Sequence, residues 1–224
     1  MPSPRPRGDD PGDRFTAHVA HELRTPITLQ LALAEAALLD PHADTVALAE
    51  GIIASCWRQQ RLIEALLDLT RSRRGLARHE LVDLAPLTGH ALNAHELSGL
   101  ESVVTLEPAV AVGDPTLLER LAANLISNAI RHNDLGGRIE VSTRTDAGHP
   151  LLSVANTGPL IPAAELARLF QPFERLGPRP QSGPDGIGLG LAIVQSIADA
   201  HNATLAAEIR VGGGLKIELR FPSA

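Results

Sequence analysis

Apolar residues recur at helical spacing from Arg14 to Leu39, at Phe15, Val19, Leu23, Ile27, Leu31, Ala34 and Leu38. The run Asp40-Pro41-His42-Ala43-Asp44 reads as a turn, with Asp44 placed to cap the segment that follows. A second stripe holds Leu48, Ile52, Leu62, Leu66 and Leu69, with Trp57 and Ile63 beside it, and fades in Arg71–Arg74 and Gly75. Two amphipathic helices joined by a short turn predict an antiparallel hairpin. A hairpin cannot bury both faces alone, so a homodimeric four-helix bundle is its expected completion.

From Glu80 the period changes. Leu81–Leu84 and Val103–Leu106 read as strands, and Pro115–His132 as a strong helix with Asp114 as cap and Pro115 in its first turn. Arg138–Thr145 and Leu151–Ala155 read as paired strands around an Asp-Ala-Gly-His-Pro turn. Ala163–Leu169 is a short helix, Pro172–Gly188 a Pro- and Gly-rich mobile loop, and Leu189–Ala200 another helix. Ala203–Val211 and Leu215–Phe221 form a hairpin across Gly212-Gly213-Gly214. The expected architecture is a helical hairpin forming a dimeric four-helix bundle, then an α/β sandwich with one mixed sheet and helices on one face. The expected domains are a tail or linker over 1–13, the hairpin over 14–75, a linker over 76–82 and the α/β domain over 83–224.

Composition narrows the class. The 224 residues suffice for one medium domain or two small ones. A net charge of −6 and a pI near 5.8 argue against a nucleic-acid partner. The single cysteine, Cys56, forms no internal disulfide. No apolar run approaches the ~20 residues that cross a bilayer, so no membrane contact by this segment is expected. Met1–Asp13 lacks the apolar middle of a signal peptide. The expected location is cytoplasmic, either as a free protein or as the cytoplasmic portion of a membrane receptor.

Candidate chemistry sits in four strings. His21 lies in Val19-Ala20-His21-Glu22-Leu23-Arg24-Thr25-Pro26, off the apolar stripe and facing solvent. Pro26 is expected to bend the helix just after it. An imidazole attacks phosphorus through an unprotonated nitrogen, and the adjacent Glu22 can hold the proton on the other. Taken alone, such a histidine reads more readily as a solvated residue on a helix. Asn124 and Asn128, four apart, share one helix face, where two amide oxygens suit Mg²⁺, and Arg131 adds a cation on the same side. Asn156-Thr157-Gly158-Pro159-Leu160 leaves a strand and turns, which lets a polar side chain meet a base edge. Gly186-Ile187-Gly188-Leu189-Gly190 opens a helix, where backbone amides wrap phosphate oxygens. Each alone is also an ordinary helix face, turn or linker.

Together and in this order, the strings resemble the sensor histidine kinases of two-component systems. The first resembles their H-box. The others resemble the N, G1 and G2 boxes of the GHKL-type, Bergerat-fold ATP-binding domain shared with gyrase, the Hsp90 chaperones and the MutL repair proteins. Leu169-Phe170-Gln171-Pro172-Phe173-Glu174-Arg175 resembles the F box that starts the kinases' ATP lid. The resemblance runs from about Arg14 to Pro222. It implies ATP and Mg²⁺ as cofactors, autophosphorylation of His21 and transfer to an aspartate of a response-regulator receiver domain. By the same resemblance, Glu22 is the base and Thr25 places a water for the reverse, phosphatase reaction. Asn128 is the principal Mg²⁺ ligand, supported by Asn124. Arg131 stands for a phosphate-contacting Lys and His132 for an aromatic residue. Asn156 and Gly158 meet the adenine, and Gly186, Gly188, Leu189 and Gly190 belong to the phosphate loop.

The chain departs from the family at a few positions. Asn156 replaces an Asp that accepts from the adenine amino group; its amide oxygen accepts that bond without a charge. Leu160 replaces a glycine and is expected to stiffen and narrow the turn. Asn202-Ala203 stands where glycine pairs are common, and Asn tolerates the left-handed cap. The alternative to an active kinase is a weak or phosphatase-dominant scaffold that binds the regulator. The H-box, and Asn124 where gyrase-type clamps carry a general-base Glu, argue against such a clamp.

Overall fold

The computed structural model describes residues 11–40, 42–97, 99–174 and 187–223. The chain divides into two compact units between Glu64 and Ala65. Helix α1 spans Pro11–Leu39 and α2 spans Thr45–Arg73. Thus α1 opens three residues earlier than the apolar stripe implies, at a proline, the residue whose missing amide hydrogen costs least in a first turn. Asp44 caps α2, its Oδ1 accepting from the amides of Val46 at 3.1 Å and Ala47 at 3.0 Å. Pro26 is buried inside α1, which continues beyond it to Leu39.

The second unit begins within α2. Leu69 is buried, and so is Ser72, whose hydroxyl lies 2.6 Å from that of Ser196. The strands are β1 (Glu80–Asp83), β2 (Glu101–Leu106), β3 (Val110–Gly113), β4 (Arg138–Asp146), β5 (His149–Asn156), β6 (Thr204–Ile209) and β7 (Leu215–Arg220). The helices are α3 (Leu84–Asn93), α4 (Pro115–Arg131) and α5 (Gly190–Ala200), with a 3-10 helix at Ala163–Phe170. Five strands form one sheet in the order β2-β4-β5-β7-β6, parallel only between β2 and β4, so the sheet is mixed as expected. β1 and β3 pair separately and antiparallel.

Alternation along the strands separates the faces. Ile139, Val141 and Thr143 of β4 and Leu215, Ile217 and Leu219 of β7 are buried. Their neighbours Glu140, Ser142, Arg144 and Lys216 line the opposite, open face, where Glu218 pairs with Arg144 and Lys216. Among the described residues α4 packs between α3 and α5. Leu117, Leu118, Leu121, Ala122, Leu125, Ile126 and Ala129 give α4 one continuous buried stripe. At roughly 1.5–3 kcal/mol per buried large aliphatic side chain, this stripe anchors the site-bearing helix.

Two elements differ from the apolar pattern. Leu84 does not end a strand but opens α3, because Asp83 stops β1 and caps the helix. The Asp83 Oδ1 accepts from the amides of Ala85 and, across the chain, Ala109. The β4–β5 turn is also tighter than read. Asp146 pairs with His149, leaving Ala147 and Gly148 as a two-residue turn with φ of 49° and 81°.

The N-terminus of α4 is fixed twice. Asp114 accepts from the amides of Thr116 at 3.0 Å and Leu117 at 3.3 Å. Its own amide donates to Nε2 of buried His201 at 3.1 Å, while Nδ1 of His201 lies 2.8 Å from the Ile197 carbonyl. One nitrogen must therefore accept and the other donate, which requires a neutral imidazole. Burial lowers the His201 pKa from its ordinary value, against smaller raising effects of the Ile197 carbonyl and Asp114 and with a small lowering by His79. Asn202 takes the left-handed conformation, φ 52°, after α5, as its residue type allows.

Candidate functional site

The buried stripe of α4 turns Asn124, Ser127, Asn128 and Arg131 into a cleft. Nδ2 of Asn124 donates to the Arg120 carbonyl at 2.8 Å, which leaves its Oδ1 as the atom with open valences. Asn128 lies one turn on along the same wall. Two neutral amide oxygens on a wall that also carries Arg131 fit a hydrated Mg²⁺ bridged to phosphates rather than an all-protein cage. Among the described residues no group of three or more His, Cys, Asp and Glu could hold a metal ion.

The opposite wall comes from the end of β5. Asn156 is 4 % exposed and its Nδ2 donates twice, to the His132 carbonyl at 3.2 Å and the Thr157 carbonyl at 2.6 Å. With both hydrogens committed, Oδ1 is left as a pure acceptor at the cleft. Gly158 is buried, and a Cβ there would overlap the His132 carbonyl, so the end of α4 and the β5 turn approach at a distance only glycine permits. Gly213 and Gly214, at φ 107° and 91°, pack equally closely on the carbonyls of Gly158 and Asn156. The Gly214 amide donates to the Pro159 carbonyl at 3.1 Å.

Thr157 ties these pieces together. Its hydroxyl donates to Asn133 Oδ1 at 2.6 Å and accepts from the Arg138 amide at 2.7 Å, while Asn133 Nδ2 donates to the Arg138 carbonyl at 3.1 Å. Motif reading assigned no role in the cleft to this brace, to Ser127, Ile161, Leu169, Glu174 and Leu191, or to the Gly213-Gly214 pair. Three consecutive glycines are more than a hairpin turn needs, and that surplus was the available signal. The cleft's apolar lining is aliphatic: Ile161, Leu169, Ile187, Leu191 and Leu215. His132 lines the same cleft.

The glycine segment enters at Ile187, since Gly186 lies outside the described residues, as does most of the Pro- and Gly-rich loop expected over Pro172–Gly188. Gly188 has φ 75°, and a Cβ would press on the backbone of Phe173 and Glu174. Its carbonyl accepts from the Phe173 amide at 2.8 Å, fixing the start of α5 to the residues after the 3-10 helix. Gly190 lies beside Asn124 Oδ1. Leu189 differs from the expectation: its side chain is 2 % exposed and belongs to the core, so only its backbone is available to a ligand. Leu160 differs too. It is 78 % exposed and narrows nothing. Arg168 bridges Glu165 and Glu174, both at 2.7 Å, and these carboxylates raise its pKa, the Glu174 hydrogen bond most.

In the first unit His21 and Thr25 are exposed on α1, and Glu22 is half-buried. The Thr25 hydroxyl donates to the His21 carbonyl at 3.1 Å, leaving its oxygen lone pairs open.

A mixed sheet with helices on one face, and a cleft built from an Asn-bearing helix, a β-strand end and a glycine-led helix start, define an ATP-binding domain. Residues 113–224 match the family described as histidine kinase-, DNA gyrase B- and HSP90-like ATPase, and residues 13–75 match the His Kinase A (phospho-acceptor) domain. With both matches in this order, the chain belongs to the sensor histidine kinases of two-component systems. It is 41 % identical over 216 residues to the sensor protein CutS of Streptomyces coelicolor, covering 93 % of this chain and 52 % of that one. The chain thus spans about half the length of such relatives. Among solved structures, the mycobacterial sensor histidine kinase MprB is 31 % identical with a TM-score of 0.57, over 64 % of this chain and 97 % of that one. Histidine kinase ThkA, solved in complex with the response regulator protein TrrA, shares the fold at a TM-score of 0.72 and 22 % identity, over 94 % of this chain and 61 % of that one.

Proposed function

We propose that this chain uses ATP to phosphorylate His21 and passes the phosphoryl group to an aspartate of a response-regulator receiver domain. The observation that carries the reading is the pairing of two features in one chain. One is an exposed histidine within an H-box. The other is a cleft whose wall presents Asn124, Asn128 and Arg131 opposite the acceptor Asn156. Adenine enters among the aliphatic side chains with its amino group donating to Asn156 Oδ1. Arg131 and the amides at Gly188–Gly190 face the phosphates, with the partial positive charge of the α5 N-terminus behind them. Asn128, supported by Asn124, would hold Mg²⁺, which when bound offsets phosphate charge. An unprotonated ring nitrogen of His21 attacks the γ-phosphorus as the bond to ADP breaks. Glu22 takes up the proton held on the other ring nitrogen. Thr25, next to His21 with open lone pairs, seats a water for the reverse reaction.

Two further assignments rest on this reading. The hairpin leaves Ile27 52 %, Leu31 58 % and Leu38 86 % exposed, and a second copy would cover this apolar surface as a four-helix bundle. The receiver domain docks around the exposed His21; histidine kinase ThkA, which shares the fold, forms a complex with a response regulator protein. Among the described residues no helix is long and apolar enough to cross a membrane.

The test is incubation with Mg²⁺ and γ-labelled ATP beside a His21→Gln variant. Acid-labile label on the parent alone supports the assignment. No label on a folded, dimeric parent would move the weight to a regulator-binding scaffold.

A further inference from the structure

We propose that Ser55 is a positioning residue for His21, acting across the hairpin through the carbonyl of Pro26; this rests on His21 being the phospho-acceptor. Pro26 has no amide hydrogen, so the Glu22 carbonyl loses its helical donor and the turn carrying the H-box is under-held. Side-chain hydroxyls act on the same stretch. Thr25 donates to the His21 carbonyl and Thr28 to the Arg24 carbonyl, each at 3.1 Å. Such bonds back to the preceding turn bend helices. From α2, the Ser55 hydroxyl donates to the Pro26 carbonyl at 3.2 Å.

Ser55 is 5 % exposed, in a hairpin whose packing is otherwise largely apolar. Gln30 Nε2 donates to the Ser55 oxygen at 3.3 Å and lies 3.4 Å from Cys56 Sγ. The serine oxygen thus accepts from Gln30, and its single proton goes to Pro26. With both bonds made, the buried hydroxyl contributes only modestly to net stability, so its larger effect is on geometry. At about 100° per residue, Pro26 and His21 point roughly 140° apart on α1. The tether therefore holds the buried side of α1 at Pro26 while His21 is presented on the exposed side. Loss of the tether lets this turn relax and swings the imidazole, and a displacement of about 1 Å at a reacting atom costs up to ~10²-fold in rate.

The test is the Ser55→Ala variant of the whole chain, beside the parent. Alanine is the best helix former, so α2 is retained. The expected result is labelling of His21 slowed about tenfold at saturating ATP, with an unchanged KM for ATP. Amide exchange should quicken only over residues 22–30. A variant that labels at the parental rate overturns the inference. So does slow labelling with exchange raised evenly along both helices, which marks a purely structural role. A parent that takes no label overturns the kinase reading and this inference with it, whereas a labelled parent with an equally labelled variant overturns this inference alone.

Discussion

Restoring the family's aspartate at position 156 should weaken this protein. In Asn156→Asp an oxygen replaces Nδ2, which donates to the His132 and Thr157 carbonyls at 3.2 and 2.6 Å. Both bonds are lost, at roughly 1 kcal/mol each. The new oxygen faces two carbonyl oxygens in a site only 4 % exposed, so the charge adds a further penalty of about 1 kcal/mol or more. The carboxyl then gains by binding a proton, which restores one donor. Its folded-state pKa should lie above the unfolded value of about 3.9. The sign follows: the proton-bound form is favoured in the fold, so the variant is least impaired at low pH and loses stability as pH rises through the folded pKa. Near pH 7.5 the expected loss is about 3 kcal/mol, a Tm decrease of roughly 6–12 °C for a chain of this size. Thermal unfolding of parent and variant at pH 5 and pH 7.5 checks it, with the parent's own pH dependence subtracted. A variant as stable as the parent at pH 7.5 would show that the two carbonyls do not hold this amide.

Two further perturbations test the surroundings. Leu160→Gly restores the family's residue at an exposed position, so the affinity for an ATP analogue should stay within about twofold and stability within roughly 0.5 kcal/mol; a gain of tenfold or more in affinity by calorimetry would mean that Leu160 shapes the cleft after all. For His201, whose pKa is lowered by burial, the unfolded chain binds the proton more readily, so stability should fall as pH drops below about 6.5 and level off below the folded pKa. His201→Gln should flatten that slope in denaturant titrations, and a slope unchanged by the substitution would assign it to other groups.

How much was legible follows from where the information lies. α4 and the β4–β5 and β6–β7 pairs follow from apolar periodicity, because each buries one face; the two long helices follow from the same spacing, although Ile27, Leu31 and Leu38 of their apolar stripe stay exposed in the single chain. Asp44 and Asp114 cap as their residue types imply. α3 was not legible. Its sequence Leu-Ala-Pro-Leu-Thr-Gly-His-Ala-Leu-Asn contains Pro86, Thr88 and Gly89, which are weak helix formers. Burial of Leu84, Ala85, Ala91 and Leu92 decides it instead. β3 is four residues long and pairs only with β1, too short for alternation to register. The Asn124–Asn128, Asn156 and glycine strings converge on one cleft of the second unit, where Leu189 turns its side chain into the core and Gly186 lies beyond the described residues.

The two departures at the β5 turn look like losses only while the segment is taken alone. A glycine can be demanded either by the φ of its own residue or by a neighbour that comes too close, and the second demand can be met from either side of the contact. Here Gly158 yields to the His132 carbonyl, and Gly213 and Gly214 yield to the carbonyls of Gly158 and Asn156. The close approach is supplied from the facing hairpin rather than by a second glycine in the turn, which frees Leu160 to point outward. The same pairwise logic governs Asn156. Whether an uncharged acceptor suffices depends on what its other atom does. With Nδ2 fixed on two carbonyls, the amide is oriented before any nucleotide arrives. An acceptor fixed in advance loses no rotamer freedom on binding, which offsets part of the strength that a charge would have added.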